Sequence, residues 1–142
     1  MITDGHASLV IRSDATTAAQ MTVTLGLEPS EAHEIGEPTR AAMAGRSLSP
    51  EWMSYQVAWW KLDAPDEQSD DPFGSLRGLL HLLAESTDAL ETLRASCETR
   101  IWWHGSSDSS QGGFVMDADL LKALAESGCD LYGTAYLDGG DS

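Results

Sequence analysis

The sequence predicts an α+β fold, a two-layer sandwich in which a mostly antiparallel sheet carries its helices on one face. Two patterns alternate along the chain: short runs rich in β-branched and aromatic residues, typical of strands, and stretches with apolar residues at helical spacing. Their order is strand, helix, strand, long helix, strand, strand, helix, strand. This order relates the predicted fold to the ferredoxin-like folds.

The length of the chain, 142 residues, corresponds to one domain by the usual range of about 100–200 residues per domain. With 42% hydrophobic and 22% charged residues, the chain has the composition of a globular protein. We therefore expect a single domain over residues 1–142, with a core from about residue 8 to residue 137 and a loose tail at 138–142.

The first half of the chain predicts a strand, a helix and a second strand. These elements lie at residues 8–12, 17–25 and 52–62. The helix has an apolar face and is ended by Gly26, and the second strand alternates its side chains between two faces. We expect residues 27–52 to be mostly loop.

The second half predicts a long helix, two strands, and a closing helix and strand. The long helix begins near Phe73, directly after an acidic loop at 63–71, and breaks near Ser86 before a further helical turn that carries Leu90 and Leu93. Its leucines recur every three or four residues, which favours one buried helix face. The remaining elements are strands at 98–104 and 113–116, a helix at 118–127 and a strand at 131–137.

The charge of the chain is strongly negative, with 23 Asp and Glu residues, 8 Lys and Arg residues and a formal net charge of −15. Such a charge repels phosphate backbones and anionic lipids, so we expect neither nucleic-acid nor membrane binding. It attracts basic proteins instead. The first residues lack a signal-peptide pattern and no apolar run is long enough to span a bilayer, which predicts a cytoplasmic protein.

Two tryptophan pairs, at residues 59–60 and 102–103, lie on predicted strands. Because adjacent strand residues point to opposite faces, each pair sends one indole toward the helices and the other outward. If the helices cover one face only, the outward indoles form a platform for a partner or a flat ligand. The alternative is that a loop such as 28–50 covers them.

The predicted partner surface joins this platform to the acidic loop. Aromatic rings supply contact area and the carboxylates supply attraction to a basic partner. Its predicted members are Trp60, Trp102, His104, Asp63, Asp66, Glu67, Asp70 and Asp71.

Other polar groups have plain structural interpretations. Residues 28–37 hold four glutamates and a histidine, but their spacing matches no known zinc or calcium loop. The serine-rich stretch 106–113 lacks the nucleophile elbow and the phosphate-loop lysine, and the four histidines are isolated in sequence. Cys97 and Cys129 lack a CxxC spacing, which favours packed thiols. The sequence therefore predicts no catalytic residue, no metal and no cofactor.

Motifs near both ends of the chain carry a family resemblance. They are Leu-Gly-Leu-Glu-Pro at 25–29, the turn Gly36-Glu37, Trp52, and a last helix and strand ending with Tyr132 and Tyr136. Together they resemble a bacterial family known as domain of unknown function 4279. Because that family has no established activity, the resemblance implies an architecture and no catalytic residues.

Three functions stay open at this point. The leading hypothesis is a small binding protein, similar to an immunity protein or antitoxin, that blocks a basic protein through its acidic surface and aromatic patch. The second is an enzyme or small-ligand domain that uses the open face of the sheet. The third is a homodimeric interaction module paired through a sheet edge, so the sequence leaves monomer and homodimer open.

Overall fold

The computed structural model describes residues 2–46, 49–65, 71–109 and 113–137. Within these residues, five strands form one open sheet in the order β2-β3-β1-β4-β5. The strands are β1 (Ile2–Ser13), β2 (Glu31–His33), β3 (Ala58–Asp63), β4 (Glu98–Ser107) and β5 (Asp130–Leu137). All neighbours pair antiparallel except β4 and β5, which are parallel. The predicted α+β class is confirmed, while its relation to ferredoxin-like folds and the single-domain assignment stay predictions.

The longer helices lie on one face of this sheet, as predicted. They are α1 (Ala18–Leu25), α4 (Gly74–Leu83), α5 (Thr87–Arg94) and α6 (Ala118–Ser127). Two shorter helices, α2 (Arg40–Met43) and α3 (Pro50–Met53), lie in the connection from β2 to β3. A 3₁₀ turn at Ala84–Ser86 separates α4 from α5, which confirms the predicted break near Ser86. None of the described helices is both long and apolar enough to cross a bilayer.

The core lies between these helices and the sheet. Every second strand residue faces it, because side chains alternate along a strand. The sheet contributes Leu9, Ile11, Trp60, Ile101 and Trp103, each at most 5% exposed. Each fully buried leucine or isoleucine stabilises the fold by about 1.5–3 kcal/mol. The helices contribute leucines at three- and four-residue spacing, namely Leu76, Leu79, Leu80, Leu83, Leu90 and Leu93.

The indole of Trp103 lies against two glycines on neighbouring strands. Gly5 and Gly105 are directly opposite each other in the β1–β4 ladder, and a Cβ added at either would overlap the ring. The Nε1 of Trp103 donates a hydrogen bond to the carbonyl oxygen of Pro72 at 3.0 Å. The ring of Phe73 lies 5.0 Å from the indole. This packing fixes the beginning of α4 against the sheet.

Arg77 connects the beginnings of α4 and α6. Its Nε lies 2.8 Å from Asp71 Oδ2, and its Nη2 lies 2.9 Å from Oδ2 of Asp117, the residue that caps α6. Hydrogen bonds from Arg77 and from the amide of Leu120 lower the pKa of Asp117. Burial opposes ionisation of Asp71, but hydrogen bonds from the amide of Phe73 and from Arg77 outweigh it, so the pKa of Asp71 is also lowered.

The structure corrects three predicted elements. Residues 113–116 form no strand. A strand there would have to pair with β4, but β1 occupies one edge of β4 and β5 occupies the other. The predicted strand at 52–62 begins only at Ala58, and Trp52 lies in α3, where a proline at the first helical position favours a helix. The predicted loop at 27–52 contains β2 and the two short helices. The predicted tail at 138–142 lies outside the described residues.

Replacement of Gly5 by alanine tests the packing around Trp103. The new Cβ has to displace the indole and its hydrogen bond to Pro72, so Gly5→Ala should lower the free energy of unfolding by about 1–3 kcal/mol. Urea denaturation measures the change. Gly113→Ala is the matched control, because its Cβ meets no atom within 4 Å. Equal losses for the two variants would contradict a specific role of Gly5.

Arg77 should make the fold sensitive to acid. The lowered pKa values of Asp71 and Asp117 mean that their pairing stabilises the fold above the unfolded pKa of about 3.9 and is lost as the pH falls through the folded values. Arg77→Gln should therefore flatten the loss of stability below about pH 5. Urea midpoints measured across this range, with Lys122→Gln on α6 as control, test the expectation. Parallel curves for wild type and Arg77→Gln would refute it.

Candidate functional site

The sheet face opposite the helices carries a groove of about 640 Å³. The outward residues of β1, β3 and β4 form its floor. These strands present this face because each alternates side chains between the core and the other side. One side of the groove is closed by the chain between β2 and β3. The described fold therefore leaves a concave surface where the helices are absent.

The chain that closes this side, residues 34–46 and 49–57, is called the wall segment below. Its two arms pair with each other, and the amide of Tyr55 donates a hydrogen bond to the carbonyl oxygen of Glu37 at 2.9 Å. The carboxylate of Glu34 accepts a hydrogen bond from the amide of Ala18 at 2.6 Å, at the beginning of α1. These hydrogen bonds connect the two arms of the wall segment with each other and connect the segment with the helical layer.

Four Trp and Tyr side chains of the described chain face the groove. Trp59 and Trp102 belong to β3 and β4 and are half-buried. Tyr55 and Trp52 belong to the wall segment, and Trp52 is 64% exposed. Aromatic faces of this kind bind planar or sugar rings by stacking and apolar contact. The groove thus offers ring surfaces from its floor and its wall.

Neighbouring rings hold Trp102 and Tyr55 in place. Trp102 lies 5.0 Å from the ring of Tyr132 and stacks 6.1 Å from His104. The guanidinium carbon of Arg100 lies 4.7 Å from the centre of Tyr132. In addition, Tyr55 stacks at 4.2 Å on His33 of β2. Groups that are already ordered before binding lose little conformational entropy when a ligand arrives.

Three of the eight Lys and Arg residues of the chain line the groove, namely Arg12, Lys61 and Arg100. Among the described lining residues the acidic one is Glu98, which lies 3.9 Å from Arg12 and 3.5 Å from Arg100. Such long, solvated ion pairs contribute about 0–1 kcal/mol. The groove is therefore cationic, although the chain as a whole is acidic.

Three members of the predicted partner surface lie in or beside this groove. Trp102 and His104 line it, and Asp63 lies at its rim. Oδ1 of Asp63 accepts a hydrogen bond from Ser8 at 2.7 Å and lies 3.5 Å from the Nζ of Lys61. Burial opposes ionisation of Asp63, but Ser8 and Lys61 outweigh it and lower its pKa. Asp63 therefore partly neutralises the groove's own lysine.

The placement of Trp60 on the outward platform was wrong. Trp60 is 0% exposed, lies opposite Ile11 on the helix side, and donates a hydrogen bond from Nε1 to Oγ1 of Thr22 at 3.0 Å. Its neighbour Trp59 takes the outward position. The predicted split of each tryptophan pair is confirmed, with Trp102 outward and Trp103 buried.

The two described acidic members of the predicted surface lie apart, because Asp63 is at the groove rim and Asp71 is not. Asp71 lies at the start of α4, on the helix side of the sheet, where it pairs with Arg77. Asp66, Glu67 and Asp70 lie outside the described residues. The described chain therefore places Asp71 away from the groove.

The polar residues at 28–37 have structural partners. Glu31 lies 2.8 Å from His33 and 3.1 Å from Arg40, and Glu34 binds the amides at the start of α1. Across the described residues, no three His, Cys, Asp or Glu side chains are grouped to hold a metal ion. Burial raises the pKa of the Cys129 thiol.

Alternation along the strands was a signal for the residues that the sequence prediction missed. Trp59 is separated by two positions from Lys61, and Arg100 by two positions from Trp102. Residues two apart on a strand share a face, so a charged neighbour at this spacing marks the solvent side. The wall residues Trp52 and Tyr55 had no such signal, since long-range pairing brings them to the groove.

A family comparison covers the strands that form the groove floor. The model of the family described as "Domain of unknown function (DUF4279)" matches residues 3–138. This chain belongs to the DUF4279 family. No curated protein and no solved structure matches it. The function of this DUF4279 domain therefore has to be inferred from the chemistry of its groove.

The orientation of the first tryptophan pair in this DUF4279 domain is testable. Trp60→Ala empties a core position and should lower the free energy of unfolding by about 3–5 kcal/mol. Trp59→Ala, its matched control on the same strand, should cost clearly less because Trp59 is half-buried on the groove side. Denaturant unfolding gives both values. The reverse ranking would show that Trp60 faces outward after all.

Proposed function

We propose that this DUF4279 domain is a non-catalytic binding protein and that its binding surface is the groove on the helix-free face of the sheet. The supporting observation is that Trp52, Tyr55, Trp59 and Trp102 face a cavity of about 640 Å³. Small-molecule sites usually enclose about 300–1,000 Å³ and combine apolar walls with a few polar groups. The groove has both properties.

Hydrogen bonding in the groove favours binding over hydrolysis. Ser8, His6 and Asp63 lie close together, but Ser8 donates to Asp63 at 2.7 Å, and Asp63 lies 3.6 Å from His6. In a nucleophilic triad the histidine stands between the hydroxyl and the carboxylate and accepts the hydroxyl proton. Here the carboxylate stands in the middle, with a lowered pKa that makes it a weak base. This arrangement does not activate Ser8.

The rings of the groove suit a flat ligand. Each favourable ring pair contributes about 0.5–1.5 kcal/mol beyond the burial of its area. Because Trp102 already contacts Tyr132 and His104, most of its orientation is fixed before binding. A ligand ring on Trp59 or Trp102 therefore gains contact at a small entropic cost.

Fluorine NMR on protein labelled with 5-fluorotryptophan tests this proposal. The five tryptophans give separate probes, assigned by single Trp→Phe variants. Titration with a library of ring-bearing metabolites should shift the signals of Trp59 and Trp102, which line the groove, and leave those of buried Trp60 and Trp103 in place.

The matched variants are Trp102→Ala, which should abolish binding, and Leu121→Ala on the exposed side of α6, which should not. A ligand that binds without moving the Trp59 and Trp102 signals would place the binding surface elsewhere.

A second candidate is the immunity-like or antitoxin-like function, in which the acidic surface binds a basic protein. It is supported by the formal charge of −15 and by Glu85, Asp88 and Glu91, which are exposed on and before α5. Electrostatic attraction of this kind speeds association and fades as salt screens it. Neutralising these three acids to Gln and Asn should then slow association with the basic partner, without changing ligand binding in the groove.

A further inference from the structure

We infer that the groove binds an anion, specifically a planar ring that carries a phosphate or carboxylate group. This inference rests on the proposed function of the groove and adds the chemical class of its ligand. Three observations support it: the sign of the charge in the groove, the presence of a cation beside each indole of the floor, and the weak pairing of the groove cations with carboxylates of the protein.

The charge of the groove is opposite to that of the chain. Acidic residues outnumber Lys and Arg by 23 to 8 over the whole sequence. Among the described residues that line the groove, three are Lys or Arg and one, Glu98, is acidic, and Asp63 adds a second carboxylate at the rim. The excess of basic over acidic residues is therefore a property of the groove and not of the chain as a whole. It favours an anionic ligand.

Each indole of the floor has a cation beside it. Lys61 follows Trp59 by two residues on β3, and Arg100 precedes Trp102 by two residues on β4. Residues at this spacing lie on the same face, about 7 Å apart along the strand. A ring stacked on either indole therefore brings a short anionic substituent within reach of a cation. The side chain of Val10, opposite both Lys61 and Arg100, gives the floor an apolar centre.

The internal partners of these cations leave capacity for a ligand. A single carboxylate, Glu98, is shared between Arg12 at 3.9 Å and Arg100 at 3.5 Å. Lys61 Nζ lies 3.5 Å from Asp63. A guanidinium has five N–H donors, and its strong pairs with carboxylate or phosphate are bidentate at about 2.7–2.9 Å. The oxygens of an anionic ligand can form short hydrogen bonds with the guanidinium groups of Arg12 and Arg100, which Glu98 contacts only at longer distances.

The ligand has to be compact. At physiological ionic strength, charges interact over about 8 Å, so the local cations dominate inside the groove. A polyanion such as single-stranded nucleic acid extends beyond the groove and meets the repulsion of a chain with a net charge of −15. A cavity of about 640 Å³ holds a ring and its substituent.

Matched pairs of probes test the charge of the ligand. Adenosine monophosphate is compared with adenosine, and indole-3-acetate with 3-methylindole, so that one pair tests phosphate and the other carboxylate. Inorganic phosphate and acetate are the ringless controls. Calorimetry and the fluorotryptophan signals should show the anionic member of at least one pair binding about tenfold tighter than its neutral partner, equivalent to about 1.4 kcal/mol, with the preference falling at high salt.

Variants locate the preference. In Lys61→Gln/Arg100→Gln, anionic and neutral members should bind alike, at the affinity of the neutral probe in the wild type. Lys122→Gln removes the same kind of charge from α6 and should keep the preference. Lys61→Arg/Arg100→Lys retains both charges and should keep most of the preference for the anionic probe. This variant separates loss of charge from loss of folding. Circular dichroism verifies the fold of each variant.

The outcomes separate this inference from the proposed function. If neutral and anionic probes bind equally and shift Trp59 and Trp102, the groove is a binding site but not one for anions. If inorganic phosphate binds as tightly as adenosine monophosphate, the ring has no part and the inference is wrong. If no probe shifts either signal, both the inference and the proposed function are contradicted.

Discussion

The indole of Trp103, packed against two glycines of the sheet, joins the sheet to the beginning of α4. Because Gly5 and Gly105 lack side chains, Trp103 can lie flat enough to reach the carbonyl oxygen of Pro72 at the beginning of α4. The leucines of α4 then cover the middle of the sheet. With Trp60, Trp103 and the helix leucines committed to that side, the fold leaves the opposite face without helices. The groove is a consequence of this one-sided packing together with the wall segment that borders it.

The distribution of charge shows why a net value is a poor guide to a binding site. The formal charge of −15 is a sum over the whole chain and directs attention to basic partners. A ligand in contact with the protein responds to the charges within about one screening length. In and beside the groove these are Arg12, Lys61 and Arg100, with Glu98 and the rim residue Asp63 against them. A basic protein at the helical side and a small anion in the groove, the two proposed partners, are therefore compatible in one molecule.

The fold could be predicted from the sequence to the extent that it depends on local periodicity. Helical spacing of leucines located α4, α5 and the break at Ser86, and strand alternation required the tryptophan pairs to split. Side-chain spacing does not reveal which other strand pairs with each edge of a strand. The parallel pairing of β5 with β4 was therefore missed, and with it the irregular backbone at 113–116. For the site, Trp102 and His104 followed from alternation. Trp60 was misplaced because β3 was judged without the charged residues that share a face with Trp59.

Because side chains alternate along a strand, each floor strand contributes one set of residues to the core and another set to the groove. On β4, Ile101 and Trp103 belong to the core, while Arg100 and Trp102 belong to the groove. A substitution on one side leaves the backbone and the other side nearly untouched. Related proteins can thus acquire different ligand preferences by changing every second residue of the floor while inheriting the same scaffold. Overall sequence identity would not reveal such divergence. It would be recognised only when the core-facing and the groove-facing positions are compared separately.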